Sequence, residues 1–313
     1  MSEEINISVI IPTYNRAKVL PRAIHSALNQ TSPPFEVIVV DDGSTDNTDE
    51  VLSRFGDDII CIQQENGGPA KARNRGIENS TGNWIAFLDS DDEWLPEKLE
   101  KQVDLLKNTG GNVAISNSVY FDIPDSSITT FSKARFSDLL FESDGSLLDC
   151  FSLLVEQNFI HLSSVIVNKS CLDSTGYFDE TMKVAEDTDL WLRLSNQNLF
   201  GIISEPLAQR DTLPDKLSGN KEKEYRGRIY LFNKFLHNSE DLPDSKRKEI
   251  IARRNFINGR LVGLKLHFTG IGSALNTLLR LNLISLFSKQ FYKGYLWNRK
   301  EARNAQIGVN DAR

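Results

Sequence analysis

The sequence contains few cysteines, and the three that it has form no cross-linking pattern. Cys61, Cys150 and Cys171 are an odd number and lie far apart in 313 residues. This excludes a disulfide scaffold and gives no metal-ligand spacing, so we expect buried free thiols in a reducing compartment. The first residues, Met1–Glu4, are acidic and lack an apolar core. We therefore expect no secretory signal peptide and a cytoplasmic location.

Long apolar runs are also missing, and acidic residues are scarce in the carboxyl-terminal part of the chain. No run reaches the roughly 18 apolar residues that predict a membrane-spanning helix. Residues 1–244 contain 22 Lys and Arg against 40 Asp and Glu, whereas residues 245–313 contain 14 against 3. The acidic body argues against nucleic acid as a partner, and the basic tail suits an anionic bilayer surface.

Continuous apolar runs alternate with helical patterns over the first 110 residues. The runs are Ile7–Ile11, Val37–Val40, Ile59–Ile62 and Trp84–Leu88. Their continuity predicts strands that are buried on both faces. Helices are predicted between and after them, at about 18–30, 46–55, 69–79 and 96–108. This repetition predicts a largely parallel α/β sheet, in which ligands bind at the carboxyl ends of the strands.

The pattern loosens after residue 110. A strand is predicted at Val113–Phe121, a long polar loop at 122–146, a helix at Leu147–Asn158 and a further strand at Leu162–Val167. Another helix begins near Glu186, with Leu190, Trp191 and Leu194 on one face. Beyond residue 220 the chain is predicted to be mostly helical.

The segment Asp89-Ser90-Asp91 is the sharpest local indication of chemistry. Two carboxylates one residue apart, at the abrupt end of a buried strand, can share a hard divalent cation and leave positions for diphosphate oxygens. The alternative is that they form a turn or cap the helix predicted from residue 96. Because Asp92 follows directly, the sequence leaves open which carboxylates would hold the metal.

Three other polar segments follow predicted strands and are expected at the same sheet edge. They are Pro12–Arg16, Asp41–Ser44 and Asn66–Asn74. Asp41, at a strand end, can accept from a nucleobase N–H or a ribose hydroxyl, whereas residues 42–46 favour a helix entry. Gly67 permits close backbone approach and Arg73 can face a phosphate, although glycines there can also simply form a turn.

Taken together, these segments resemble the family 2 glycosyltransferases over about residues 5–210. The matching stretches, in the family's order and spacing, are Ser8–Arg16, Val39–Asp46, Asn66–Gly68, Ala72–Gly76, Phe87–Asp92, Gly176–Glu180 and Glu186–Trp191. The resemblance implies the glycosyltransferase A fold, the Rossmann-like α/β fold of nucleotide-diphospho-sugar transferases, with a mainly helical carboxyl-terminal extension. It implies a catalytic domain at 1–219, with a nucleotide-binding part at about 1–110 and an acceptor part at about 111–219. The helical, basic extension would be 220–313.

The resemblance also implies roles for individual residues. The nucleotide and donor sugar would be bound by Pro12, Thr13, Tyr14, Arg16, Asp41, Gly67, Arg73, Asp89 and Ser90. Asp91 would ligate Mg²⁺ or Mn²⁺, and Asp187 would be the general base that deprotonates the acceptor hydroxyl. Glu186, Trp191 and His161 would lie on the acceptor side. Read from spacing alone, Asp187 is instead a helix N-cap, Trp191 a core residue and His161 a structural histidine.

The implied function is an inverting glycosyltransferase acting in bacterial cell-surface polysaccharide synthesis. It would move a sugar from a nucleoside-diphosphate donor, with UDP favoured, to a carbohydrate or lipid-linked glycan. The alternative from another class is a catalytically silent nucleotide- or sugar-binding protein. A nucleotidyltransferase would need a glycine- and lysine-rich triphosphate loop, which Pro12–Arg16 does not supply. A dehydrogenase would need Gly-x-Gly-x-x-Gly after the first strand, and that motif is absent.

The basic tail mixes aromatic and cationic residues. The apolar stretches 261–268 and 274–287 are followed by Lys289, Phe291, Tyr292, Lys293, Tyr295, Trp297, Arg299 and Lys300. Aromatics among cations on short helices are typical of an interfacial helix on an anionic membrane. We therefore expect peripheral contact with the inner face of the cytoplasmic membrane through residues 245–300. The alternative is that these helices pack on the catalytic domain.

Overall fold

The computed structural model describes residues 4–121, 127–211, 221–238, 242–280 and 290–296. The chain divides into two compact units. The first comprises residues 1–181 and 186–214, and the second comprises residues 182–185 and 215–313. The first unit contains the sheet and every residue predicted to bind a ligand.

The first unit is built from strands and helices in near alternation. Its strands are β1 Ile7–Thr13, β2 Glu36–Asp41, β3 Ile60–Gln63, β4 Trp84–Phe87, β5 Glu93–Trp94, β6 Val113–Tyr120, β7 Leu147–Leu148, β8 Val165–Asn168 and β9 Phe200–Arg210. Its helices are α1 Leu20–Leu28, α2 Thr48–Ser53, α3 Pro69–Asn79, α4 Lys98–Thr109, α5 Ser137–Glu142, α6 Phe151–Glu156, α7 Lys169–Thr175 and α8 Glu186–Ser195. Short 3-10 turns lie at Gly56–Asp58 and Leu162–Ser164.

The strands described here form one mixed sheet, in the order β3-β2-β1-β4-β8-β6-β9-β5, with β7 paired to β9. Strands β1 to β4 are parallel, which confirms the predicted parallel half. Strand β8 pairs antiparallel with both β4 and β6, whereas β6 and β9 run parallel. This mixed α/β sheet, followed by a helical carboxyl-terminal part, confirms the predicted fold class.

Two expectations about the first half of the sheet are wrong. Strand β3 lies at the edge of the sheet and is largely exposed, so it is not buried on both faces. Cys61 lies on this strand and is exposed, whereas Cys150 and Cys171 are buried free thiols. An edge strand has neighbours on one side only, and its apolar residues therefore do not imply burial.

The second half of the first unit departs further from the sequence pattern. The predicted polar loop contains helix α5, and the predicted helix at 147–158 is divided into β7 and the shorter α6. The predicted strand at 162–167 begins as a 3-10 turn, and the long strand β9 has no counterpart in the prediction. The part of that loop at 122–126 lies outside the described residues.

Helix α3 packs closely on the sheet, and this packing fixes its position after the polar residues 66–68. Pro69 occupies the first turn of α3, where its missing N–H costs no hydrogen bond. Gly76 faces β1, and a Cβ there would lie 2.4 Å from Ile10 Cγ2. Only a residue without a side chain therefore allows α3 to approach the sheet this closely.

Beyond residue 220 the described part of the second unit is mostly helical, as predicted. It contains α9 Lys221–Asn238, α10 Asp244–Arg280 and a helical segment at 290–296. Gly259 of α10 and Gly294 face each other's helices so closely that a Cβ at either would lie within 2 Å of a backbone oxygen. None of the described helices combines the length and apolarity needed to span a bilayer. The tail residues 281–289 and 297–300 lie outside the described residues.

Candidate functional site

The carboxyl ends of the first three strands lie side by side. Thr13 of β1 is in register with Asp41 of β2, which is in register with Gln63 of β3. The backbone N–H of Asp42 donates to the backbone carbonyl oxygen of Thr13 over 2.9 Å. The polar segments after β1, β2 and β3 therefore lie at one edge of the sheet, as parallel pairing requires.

The loop after β1 is held against the loop after β2 by polar contacts. Asn15 has a left-handed backbone, with φ of +52°, a conformation that asparagine tolerates better than most residues. Its N–H donates to Ser44 Oγ over 2.9 Å, and its side-chain oxygen accepts from the N–H of Thr45 over 2.7 Å. Tyr14 is consequently 46% exposed at this edge.

The other residues predicted to line the nucleotide pocket after β1 differ in exposure. Pro12 and Thr13 are buried, and Arg16 is half-buried. The Thr13 hydroxyl has no hydrogen-bond partner within the described part of the chain. A buried hydroxyl without a partner is costly, so Thr13 is suited to bond a ligand at this edge.

The two adjacent aspartates after β2 have different partners. Asp41 accepts the N–H of Ser44 over 3.0 Å and is buried at the strand end. The buried carboxylate of Asp42 accepts the N–H groups of Gly67 and Gly68, each over 2.8 Å, and the side-chain amide of Gln64 over 2.7 Å. Asp42 therefore shapes the glycine loop that precedes α3, a role that the prediction of a helix entry did not include.

Arg73 connects the end of β4 to the start of α8. Its Nη2 donates to Asp89 Oδ1 over 2.8 Å, and its Nη1 donates to Glu186 Oε1 over 3.3 Å. The guanidinium also stacks on the ring of Phe178 at 5.4 Å. Burial acts to lower the pKa of Arg73, but the charges of Asp89 and Glu186 outweigh it and raise the pKa. Arg73, which was predicted to contact a phosphate, is thus already paired with two carboxylates.

The residue next to Arg73 makes a second connection across the site. Asn74 Nδ2 donates to the Phe178 oxygen and to Glu180 Oε1, both over 2.9 Å. The N–H of Phe178 donates back to Asn74 Oδ1 over 3.0 Å. Helix α3 is therefore tied to the Gly176–Glu180 segment independently of the ion pairs.

The segment after β4 is a tight turn of acidic residues. The N–H of Asp92 donates to the backbone carbonyl oxygen of Asp89 over 3.0 Å, which closes the turn. One carboxylate oxygen from each of Asp89, Asp91 and Asp92 lies within 4.8 Å of the others. Asp89 and Asp91 are half-buried, whereas Ser90 and Asp92 are buried. Such a cluster of hard oxygen donors fits a divalent cation.

Asp92 is directed into the protein rather than towards the open edge. Its Oδ2 accepts from Ser163 Oγ over 2.6 Å and lies 2.8 Å from His161 Nε2. The N–H of Asp211 donates to its other oxygen over 3.2 Å. These contacts place His161 against the aspartate turn, and its acceptor-side position stays a prediction.

Helix α8 brings two more carboxylates to the site. Asp187 Oδ1 accepts the N–H of Thr188 over 2.6 Å, and its Oδ2 accepts from Asn158 Nδ2 over 3.1 Å. Asp187 is the second residue of the helix and does not accept from residues two or three farther on, so its interpretation as an N-cap is wrong. Burial and the charge of Asp187 raise the pKa of Glu186, against the opposing effect of Arg73.

Trp191 does not reach the open edge. It is fully buried on α8, and its ring centroid lies 6.3 Å from that of Phe87 and 6.5 Å from that of Phe178. The expectation of an acceptor contact is therefore wrong for Trp191, and the alternative of a core residue is confirmed.

Comparison with known proteins relates this site to one family. The model of "Glycosyl transferase family 2" matches residues 8–160. The putative teichuronic acid biosynthesis glycosyltransferase TuaG of Bacillus subtilis is 31% identical over 232 residues, which cover 69% of this chain and 83% of TuaG. The chain spans between about a third and three fifths of several other curated glycosyltransferases, from Rickettsia species, that are 33–37% identical to it.

Two solved structures share the fold at lower identity. The Staphylococcus aureus protein TarS 1–349, in complex with UDP-GlcNAc, superposes with a TM-score of 0.58 at 21% identity, covering 93% of this chain and 79% of that one. The mannosyltransferase PcManGT of Pyrobaculum calidifontis, in complex with GDP-Man and Mn²⁺, gives 0.60 at 16% identity, covering 98% and 88%. With the match to TuaG over most of its length, these findings show that the chain belongs to glycosyltransferase family 2.

Proposed function

We propose that the protein is an inverting glycosyltransferase that uses a nucleoside-diphosphate sugar. The observation that supports this most strongly is the placement of Asp89, Asp91 and Asp187 around one open sheet edge, linked by Arg73 through Asp89 and Glu186. A silent binding protein has no need of both a metal-type acidic turn and a carboxylate on the facing helix.

The nucleotide would lie over the ends of β1 and β2. There the exposed ring of Tyr14 can stack on a base, and Asp41 can accept from a base N–H. The unpartnered hydroxyl of Thr13 is available for a further polar contact, and Gly67 allows close approach of the diphosphate. UDP is the favoured nucleotide because the TarS structure was solved with UDP-GlcNAc. The GDP-Man complex of PcManGT makes GDP the second choice.

The acidic turn would bind Mg²⁺ or Mn²⁺. Asp91 is the proposed ligand, with Asp89 beside the ribose or the donor sugar. Their carboxylates are hard oxygen ligands that lie close enough to share one ion. When bound, the metal would neutralise negative charge on the leaving diphosphate. The Mn²⁺ in the PcManGT complex supports this assignment.

Asp187 would act as the general base. It is half-buried at the start of α8 and is held by Asn158 and by the Thr188 N–H. It would take the proton of the acceptor hydroxyl as that oxygen attacks the anomeric carbon from the face opposite the diphosphate. One displacement inverts the anomeric configuration and needs no covalent intermediate. Glu186, paired with Arg73, would hold the start of the helix in place.

The acceptor would be a growing glycan, free or attached to a lipid, in the synthesis of a bacterial cell-surface polysaccharide. Support comes from TuaG, a relative named as a putative glycosyltransferase of teichuronic acid biosynthesis. The succinoglycan biosynthesis protein ExoO of Rhizobium meliloti, 30% identical over 185 residues, points to the same kind of product.

The proposal is tested by titrating UDP, GDP and dTDP calorimetrically, each with Mn²⁺ and with EDTA. The variants are Asp91→Ala, Asp187→Asn and, as a surface control, Asp104→Asn on the exposed side of α4. We expect one nucleotide to bind in the presence of metal, Asp91→Ala to lose that binding and Asp104→Asn to retain it. Asp187→Asn should bind normally but lose release of the nucleoside diphosphate from the donor sugar.

Each arm has an outcome that contradicts the proposal. If no nucleotide binds the unaltered protein, the donor-site assignment is wrong. If nucleotide binds but Asp187→Asn releases it from the sugar as fast as the unaltered protein does, Asp187 is not the base. Binding without any turnover, over a panel of donors and glycan acceptors, would favour the silent binding protein.

We also propose that the basic tail contacts an anionic membrane surface from the cytoplasmic side. In the helical segment at 290–296, Tyr292 and Leu296 are exposed four residues apart, with Lys293 beside them. Co-sedimentation with vesicles tests this. Binding to vesicles that contain phosphatidylglycerol but not to neutral ones is expected, and a Tyr292→Ser/Leu296→Ser double variant should bind less. Equal recovery with both vesicle types would contradict it.

A further inference from the structure

One serine hydroxyl joins both ends of the acidic turn. Ser163 Oγ accepts the N–H of Asp89, the first residue of the turn, over 3.0 Å. The same hydroxyl donates to the carboxylate of Asp92, the last residue, over 2.6 Å. Since Asp91 lies between these two anchored residues, Ser163 restricts the backbone that presents the proposed metal ligand.

His161 reinforces this arrangement from the same segment. Its Nε2 lies 2.8 Å from the Asp92 oxygen that Ser163 also contacts. The Nδ1 atom is buried and has no hydrogen-bond partner among the described residues. The only hydrogen-bonding direction that the structure records for this imidazole is therefore towards Asp92.

The serine itself is rigidly placed. Its backbone oxygen accepts the indole N–H of Trp94 over 2.6 Å, and Ser163 is fully buried. Trp94 lies on β5, which follows the acidic turn directly in the chain. The turn is thus held from the side of the acceptor part by contacts with both its backbone and its last carboxylate.

We infer that His161, Ser163 and Asp92 are positioning residues that set the divalent-cation affinity of the acidic turn, and that Asp92 is not itself a metal ligand. This inference rests on the proposed function. A carboxylate with Oδ2 bonded to two side chains and Oδ1 to a backbone N–H is poorly placed to bind an ion as well. Partners that orient a ligating group typically change metal affinity tenfold to a hundredfold when they are removed.

The chain offers a closely matched control. Ser8 is also fully buried, and its hydroxyl donates to Glu36 over 2.6 Å and accepts the Gly82 N–H over 3.0 Å. These are the same two contacts at the same distances, but Ser8 lies near the amino-terminal end of β1, away from the strand ends that form the site. Ser8→Ala therefore measures the cost of losing such a hydroxyl without any effect on the acidic turn.

The test is Mn²⁺ affinity, measured by electron paramagnetic resonance of the free ion at saturating UDP. We expect Ser163→Ala and His161→Leu to weaken Mn²⁺ binding about tenfold to a hundredfold, and Ser8→Ala to change it less than about twofold. His161→Gln, whose amide can still donate to Asp92, should lie closer to the unaltered protein than His161→Leu.

Two results would overturn the inference, and they differ. If Ser163→Ala binds Mn²⁺ as tightly as Ser8→Ala does, the positioning role is wrong while the proposed function stands. If the unaltered protein binds neither UDP nor Mn²⁺, the proposed function fails and the inference fails with it. Thermal midpoints identify any variant that does not fold, and the Gln and Leu variants at His161 then decide the question.

Discussion

Replacing Asp42 by asparagine isolates the buried contact that shapes the glycine loop. The carboxylate accepts three N–H donors, from Gly67, Gly68 and Gln64, at 2.7–2.8 Å. An asparagine has one acceptor oxygen, so its amide nitrogen would face at least one of these donors. A hydrogen bond to a charged group contributes about 1.5–3 kcal/mol, and an unpaired buried N–H adds a penalty. We expect Asp42→Asn to lower the free energy of unfolding by about 2–4 kcal/mol.

Asp46→Asn is the control for this change. Asp46 also accepts two backbone N–H groups, those of Ala17 and Thr48, each over 3.1 Å, but it is exposed. An exposed asparagine can accept one of these N–H groups and water can satisfy the other, so this variant should lose less than about 1 kcal/mol. Urea denaturation followed by tryptophan fluorescence measures both, because Trp84, Trp94 and Trp191 all lie in the first unit.

One outcome of this comparison would contradict the reasoning about burial. If Asp42→Asn costs no more than Asp46→Asn, burial does not decide the strength of these contacts and the glycine loop has other support. The same variant should weaken UDP binding, because the loop beside Asp41 would no longer be fixed. Full UDP affinity in a destabilised Asp42→Asn protein would show that the loop does not contact the nucleotide.

Three further changes test other parts of the structure. Burial holds the pKa of Lys98 well below its usual value. Between that lowered pKa and about 10.5, Lys98 is protonated in the unfolded chain but not in the folded protein. The stability of Lys98→Met relative to the unaltered protein should therefore fall from pH 7 towards pH 10, as urea midpoints measure, because the unaltered protein gains stability over that range. Native alkylation should label Cys61 in preference to Cys150 and Cys171, because Cys61 is exposed and the other two are buried. Burial raises the pKa of all three thiols, so access to the reagent decides the labelling, and mass spectrometry of the labelled peptides measures it. Gly76→Ala should cost about 1–3 kcal/mol by overpacking against β1, measured by urea denaturation.

These three predictions fail in different ways. A stability difference for Lys98→Met that is constant between pH 7 and 10 would mean that Lys98 is charged in the folded protein. Rapid labelling of Cys150 without denaturant would contradict its burial. An unchanged urea midpoint for Gly76→Ala would show that α3 can move away from the sheet without cost.

The parallel half of the sheet could be predicted because its signals are local. Strands buried on both faces leave continuous apolar runs, and α3 was predicted with the same bounds, 69–79, that the structure shows. Strand β9 left no such signal, since Ser204, Glu205 and Pro206 interrupt its pattern and its pairing with β6 shifts register there. That strand depends on partners distant in sequence, which periodicity does not report.

Adjacent aspartates mark the limit of prediction within the site. Asp41 and Asp42, like Asp91 and Asp92, differ in role because successive side chains leave the backbone in different directions. The residues that separate their roles, Gly67 for Asp42 and His161 for Asp92, are 25 and 69 positions away. The sequence therefore predicted where the acidic residues gather but not which of them bind neighbouring protein groups.

The contacts between the proposed donor-side and acceptor-side segments show which residues a chimera with another family member would have to preserve. The donor-side groups lie within the first 92 residues, and the facing segments lie between 158 and 191. Polar side-chain contacts that cross between them in the described residues include Arg73 to Glu186, Asn74 to Phe178, Asp92 to His161 and Ser163 to Asp92. A chimera that borrows these segments from another family member, in order to change the proposed glycan acceptor, should therefore keep Glu186, Phe178, His161 and Ser163. It should also keep Asp187, the proposed base, and Asn158, which donates to the Asp187 carboxylate.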